Sequence, residues 1–169
     1  MRFSSAILLL AALTLGKAAN ASEEYVFAGI TLLQPNHVVE PRFGSANDLA
    51  TYIRQLQPVI ERAFKDPTDR VARSGFVVVA VKPIQQPNFW FDFSPALRPD
   101  ELQRIELELK KIVPMRVVGG PVVFALRIAT FGAKPPIHPM PRPPEWLGEV
   151  GRVGQPIETG DMVLRLWRP

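Results

Sequence analysis

The chain has 169 residues, 47% hydrophobic and 21% charged, and no cysteine. That balance excludes a disordered or collagen-like chain and a multi-pass membrane protein, and without cysteine the core must hold with no disulfide or thiolate staple. The formal charge of +4 is not a nucleic-acid signature. Arg2 and Lys17 fall in an N-terminal leader, leaving 18 of the 20 basic residues against 16 acids, and those from Arg42 to Arg168 are scattered among acids rather than gathered on one face.

The leader is Arg2, an apolar run from Ala6 to Leu15, and the small-residue pattern Ala19-Asn20-Ala21. Ten apolar residues fall well short of the ~20 that span a bilayer as a helix. The pattern predicts a signal peptide over 1–21 cut after Ala21. One 148-residue domain over 22–169 remains, periplasmic or secreted and without a membrane span, and long enough to bury a sizeable core.

Tyr25 to Leu33 reads as a strand closed at Gln34-Pro35-Asn36, with Val38-Val39 as a short extra edge. Ser45 and Asp48 form a capping pattern, and Leu49, Ile53, Leu56, Ile60, Ala63 and Phe64 then make one helical stripe. Pro58 interrupts that stripe without shifting its phase, so a kinked helix is expected. After the stop at Asp66-Pro67, the β-branched run Phe76 to Val81 predicts a strand buried on both faces. A Pro83-to-Pro87 turn joins it in a hairpin to the alternating strand Asn88 to Ser94.

Pro99-Asp100-Glu101 announces a second helix, with Leu102, Ile105, Leu109 and Ile112 as its buried stripe and Pro114 as its stop. Gly119-Gly120-Pro121 precedes a strand from Val122 to Phe131. Six prolines between Lys134 and Pro144 then read as a stiff surface connector, favoured over a partner-docking segment, with Trp146 pinning its end. Alternation from Asp161 to Trp167 predicts a last strand. The fold class expected is α+β: a two-layer sandwich with two helices on one face of a mainly antiparallel sheet, βαββαβ-like with an extra C-terminal strand.

Within this order the stretch Asp48 to Phe131 resembles the TonB C-terminal domain, in the TonB and TolA-like group of periplasmic modules. Tyr52 and Ile60 on the helix, Pro67 after it, Gly75 opening Val77-Val78-Val79, and Pro114 followed by Gly120-Pro121-Val122 and Phe131 carry the resemblance. It implies a non-enzymatic module that binds partner proteins or peptides in the bacterial envelope, commonly by adding a strand to the sheet edge. The chain departs from that family in lacking a membrane anchor and a proline-rich spacer before the domain. It also adds the Asp161-to-Trp167 segment, which could cover the edge a partner would use.

Catalytic and cofactor chemistry finds little support. His37 and His138 are the only histidines, too few for a zinc or iron site without carboxylates from unrelated loops. Ser22, Ser45, Ser74 and Ser94 beyond the leader sit in no nucleophile elbow, and Gly119-Gly120 follows no strand-to-helix turn that could cradle phosphate. No catalytic residue, cofactor, metal or nucleic acid is expected. Trp90, Asp92, Arg127, Trp146 and Trp167 are the candidate partner-binding residues, and a covered Asp92 would need a partner such as Arg127. Other readings are an inhibitor or immunity-type protein against a secreted enzyme and a small-ligand or lipid carrier drawing on Phe89, Trp90, Phe91 and Phe93. Last comes an envelope hydrolase pairing Asp92 with His37 or His138.

Overall fold

The computed structural model of the chain describes residues 24–65, 70–84, 87–138 and 140–167. The expected signal peptide, the Asp66-Pro67 stop and Pro139 of the connector lie outside the described residues. Four antiparallel strands, β1 (Tyr25–Leu32), β2 (Ser74–Val81), β3 (Asn88–Ser94) and β4 (Val122–Thr130), form one sheet in the order β1-β4-β2-β3. The β2–β3 hairpin runs in unbroken register from Ser74 opposite Ser94 to Ala80 opposite Asn88. Gly75 is indispensable to it, because a Cβ there would stand 2.0 Å from the Asp92 carbonyl oxygen.

The α+β class is as the patterning predicts. Helix α2 (Ala46–Phe64) starts at Ser45, whose Oγ accepts the Asp48 N–H at 3.2 Å, and it buries Leu49, Ile53, Leu56 and Ile60 together with Tyr52. It runs through Pro58 because that residue is exposed, so the missing N–H orphans a carbonyl on the solvent side. Helix α3 (Pro99–Leu109) is capped by Glu101, whose Oε2 accepts the Arg98 N–H at 2.7 Å. The Ile105 and Leu109 stripe of α3 and the α2 stripe share one core with Val77, Val79, Phe124, Leu126 and Ile128 from the sheet. Each fully buried side chain of this kind contributes about 1.5–3 kcal/mol.

Three segments depart from expectation. Asp161 to Trp167 is not a strand: α5 (Thr159–Arg165) occupies it and buries Met162 and Val163 against the sheet. Two adjacent apolar residues with Leu166 three and four positions on satisfy a helical turn, and in seven residues that pattern cannot be told from alternation. Val38-Val39 belongs to a one-turn helix, α1 (Asn36–Val39), because Pro35 at φ −58° launches a turn that buries Val39. Finally, α4 (Pro144–Val153) joins α5 over the second face of the sheet, where Phe76, Val78, Trp90, Val123 and Ala125 pack with Trp146, Met162 and Val163. The sandwich thus has a third layer, which explains why β2 and β4 are apolar on both sides. Glu149 ties that layer together, accepting from Arg152 Nε and Nη2 at 2.8 and 2.6 Å with Arg165 3.7 Å away. The Arg152 hydrogen bonds, aided by the charges of Arg152 and Arg165, hold the Glu149 carboxyl below the usual carboxylate range.

Candidate functional site

The five candidate residues lie on the second face but, apart from Trp90 and Trp146, do not come together. Trp90 and Trp146 bury each other edge to face, with centroids 5.8 Å apart, so the connector is indeed pinned at Trp146. Neither indole N–H has a hydrogen-bond partner. Asp92 and Arg127 both stand opposite Phe76, on its two sides, which sets their backbones about 10 Å apart. They do not pair. Asp92 Oδ2 accepts the Arg142 N–H at 2.7 Å, and Arg127 Nη2 donates to the Ala28 carbonyl at 2.8 Å. Trp167 lies under Lys82, whose Nζ is 4.2 Å from its ring centroid.

The proline-rich connector is a strap over this face. His138 stacks 5.2 Å from the Phe76 ring, Arg142 fastens to Asp92, and Pro141 and Pro143 are buried. His138 Nδ1 is engaged by the Met140 carbonyl at 2.8 Å, so Asp92 and His138 each satisfy a backbone group rather than one another. Among the described residues no group of three or more His, Cys, Asp or Glu side chains could hold a metal ion.

With both faces covered, the backbone that remains open is at the two rims. β1 is broken by a bulge between Phe27 and Gly29, where the Ala28 carbonyl is taken by Arg127. Such a bulge re-aims the strand and blunts it as a template. β3 has no bulge, and no described strand pairs with its outer side. Phe91 and Asp92 are half-buried and Ser94 is exposed. A groove of about 210 Å³ runs beside this half of the strand, walled by Phe91 and Phe93, by Leu97 before α3 and Leu102 within it, and by Pro144 of α4. Asp92, Glu106 and Glu145 also line it, with Glu106 held by Lys110 at 2.9 Å. Asp92 is the one candidate residue that reaches this groove directly; the rim itself is legible only once strand order is known, since nothing in a linear pattern says which strand is outermost.

Fold and rim together define an α+β sandwich whose sheet is shielded on both faces and presents one regular unpaired edge. Compared with protein-family models, curated proteins and solved structures, the chain matches none.

Proposed function

We propose that the chain is an exported, non-enzymatic protein-binding module of the bacterial envelope, similar to the TonB C-terminal domain, and that it takes an extended segment of its partner as an added strand along β3. The observation that carries this reading is the unbulged outer side of β3 beside an apolar groove. An edge strand offers alternate N–H and C=O groups outward, and a groove sorts the incoming side chains. The position of α5 supports it too, because the C-terminal segment lies on a face and leaves the rim uncovered. An inhibitor of a secreted enzyme would be a special case of the same contact. A carrier needs a cavity between sheet and helices, where Leu56, Ile60, Leu109, Val77 and Phe124 stand fully buried against one another.

The test is site-specific photocrosslinking in envelope extracts, with the crosslinker placed in turn at Phe91 on β3 and at Ile30 on β1. A discrete adduct from position 91, whose N–H faces outward because the Asp92 backbone is paired with Phe76, and none from position 30, is the expected result. Adducts from position 30 alone, or from neither, would overturn the assignment.

A further inference from the structure

We propose that a second recognition site, separate from the β3 rim, surrounds the segment 113–118 and takes an extended peptide that alternates apolar side chains with carboxylates. α3 stops at Leu109, and from Pro114 the chain runs to Gly119 with a single bridge, Val117 to Phe43, and the Val118 N–H donating to the Arg42 carbonyl at 2.9 Å. An open groove lies on each side, each about 600 Å³. One has Arg42 and Tyr52 in its wall; the other is bounded by Lys82, Pro83 and Ile84, and Met115 and Arg116 line both. Neither shares a residue with the β3 groove.

Three observations converge here. The first is apolar exposure: Ile84 is fully exposed, Val113 is 80% and Val118 49% exposed, around two concavities that can receive side chains. The second is charge. Arg73, Arg152, Lys65 and Lys110 each lie against a carboxylate. Among the described residues Arg42, Arg116 and Lys82 have none within 4.0 Å: Arg42 Nη1 donates to the Pro121 carbonyl at 2.6 Å, and Lys82 rests on Trp167. The single acid lining these grooves, Asp48, has its Oδ2 occupied by the Ser45 hydroxyl at 2.9 Å. The third is Tyr52, 2% exposed, which lines the first groove and whose buried hydroxyl has no hydrogen-bond partner.

Arg42 is also held in place. Gly120 sits at φ +145°, and a Cβ there would come within 2.9 Å of the Arg42 guanidinium carbon, so the cation occupies space that only glycine leaves. A positioned guanidinium loses little freedom on pairing with a carboxylate. A bilayer surface would meet only the projecting Ile84 and Val113 and would leave the two concavities unfilled, so an extended peptide from a partner protein fits the shape better.

The experiment is fluorescence anisotropy with labelled ten-residue peptides alternating Leu with Glu, Gln or Lys. The Leu-Glu peptide is expected to bind at least about tenfold more tightly than Leu-Gln, to weaken in about 0.5 M salt, and to be lost about tenfold in Arg116→Glu, an exposed change that spares the core. Phe91→Pro, which removes an outward N–H at the β3 rim and no ladder bond to β2, should leave this binding unchanged, so the two sites fail or stand separately. Equal binding of Leu-Glu and Leu-Gln, indifference to Arg116→Glu, or no saturation by about 1 mM would each overturn the proposal. Capture by phosphatidylglycerol vesicles without peptide selectivity would overturn it as well.

Discussion

Replacing Trp146 by alanine tests whether the second layer hangs on one contact. The side chain is 9% exposed and packs edge-on against Trp90, with Met162 and Val163 as further neighbours in the same cluster. Aromatic-to-alanine changes in cores cost about 3–5 kcal/mol. The strap and the two short helices can settle partly into the void, which puts this site near the lower end, about 3 kcal/mol. With a urea slope of about 1.5 kcal/mol/M, the unfolding midpoint should fall by about 2 M. Trp146→Phe keeps a ring on Trp90 and removes an N–H that has no partner, so its cost should be about 1 kcal/mol or less. Hydrogen exchange should speed in α4, α5 and the strap well before α2 and α3. A loss under about 1 kcal/mol for the alanine variant, or exchange rising equally in α2 and α3, would refute the idea that the layer is held this way.

Gly75→Ala should destabilise by at least about 3 kcal/mol in urea unfolding, because the new Cβ meets Asp92 backbone oxygen at 2.0 Å and Phe93 Cα at 2.6 Å, and neither can rotate away. Glu149 sets an acid limit. Its folded pKa is lowered, so its contribution is complete above the ordinary carboxylate value of about 4.3 and disappears as pH falls through the lowered value. Glu149→Gln should flatten that acid limb, which circular dichroism against pH reads. Tyr25 and Tyr52 are the only tyrosines, and burial raises both, with the Glu61 charge adding to Tyr25. Their stabilising share is full below pH about 10 and is lost as pH rises beyond it. Absorbance at the tyrosinate band should stay flat past that pH and climb only with unfolding, whereas a smooth titration of folded protein near 10 would contradict their burial.

How far the sequence reveals the fold depends on how much context each element needs. α2, β2, β3, α3 and β4 carry long apolar periods or unbroken β-branched runs, and α2 and α3 begin at capping or turn residues, Ser45 and Pro99, although α3 stops at Leu109, short of the expected Pro114. α4 also has its punctuation, Pro144 and Glu145 at the start and Gly154 at φ +73° at the end, the same kind of signal that announces α3. It is easily passed over because Gly148 and Gly151 lower its helix propensity and prolines crowd its beginning. α5 is decided by the sheet face beneath it rather than by its own seven residues. At the site, Trp90 and Trp146 are recognisable as residues needing a partner, but only the strand order shows that each is the other's. The grooves beside Val113 and Phe91 depend on loops brought together from distant parts of the chain, which no local pattern encodes.

The strap has one further thermodynamic effect, exerted before folding. Five of its described residues, Pro135, Pro136, Pro141, Pro143 and Pro144, have φ fixed by their own rings. At a compatible position each such residue trims the denatured ensemble by roughly 0.4–1 kcal/mol, so together they withhold roughly 2–5 kcal/mol of disorder that an ordinary linker would surrender on docking. Helices of 10 and 7 residues would scarcely form on their own in water. A pre-stiffened tether delivers them to the sheet with much of that entropic loss already taken at synthesis.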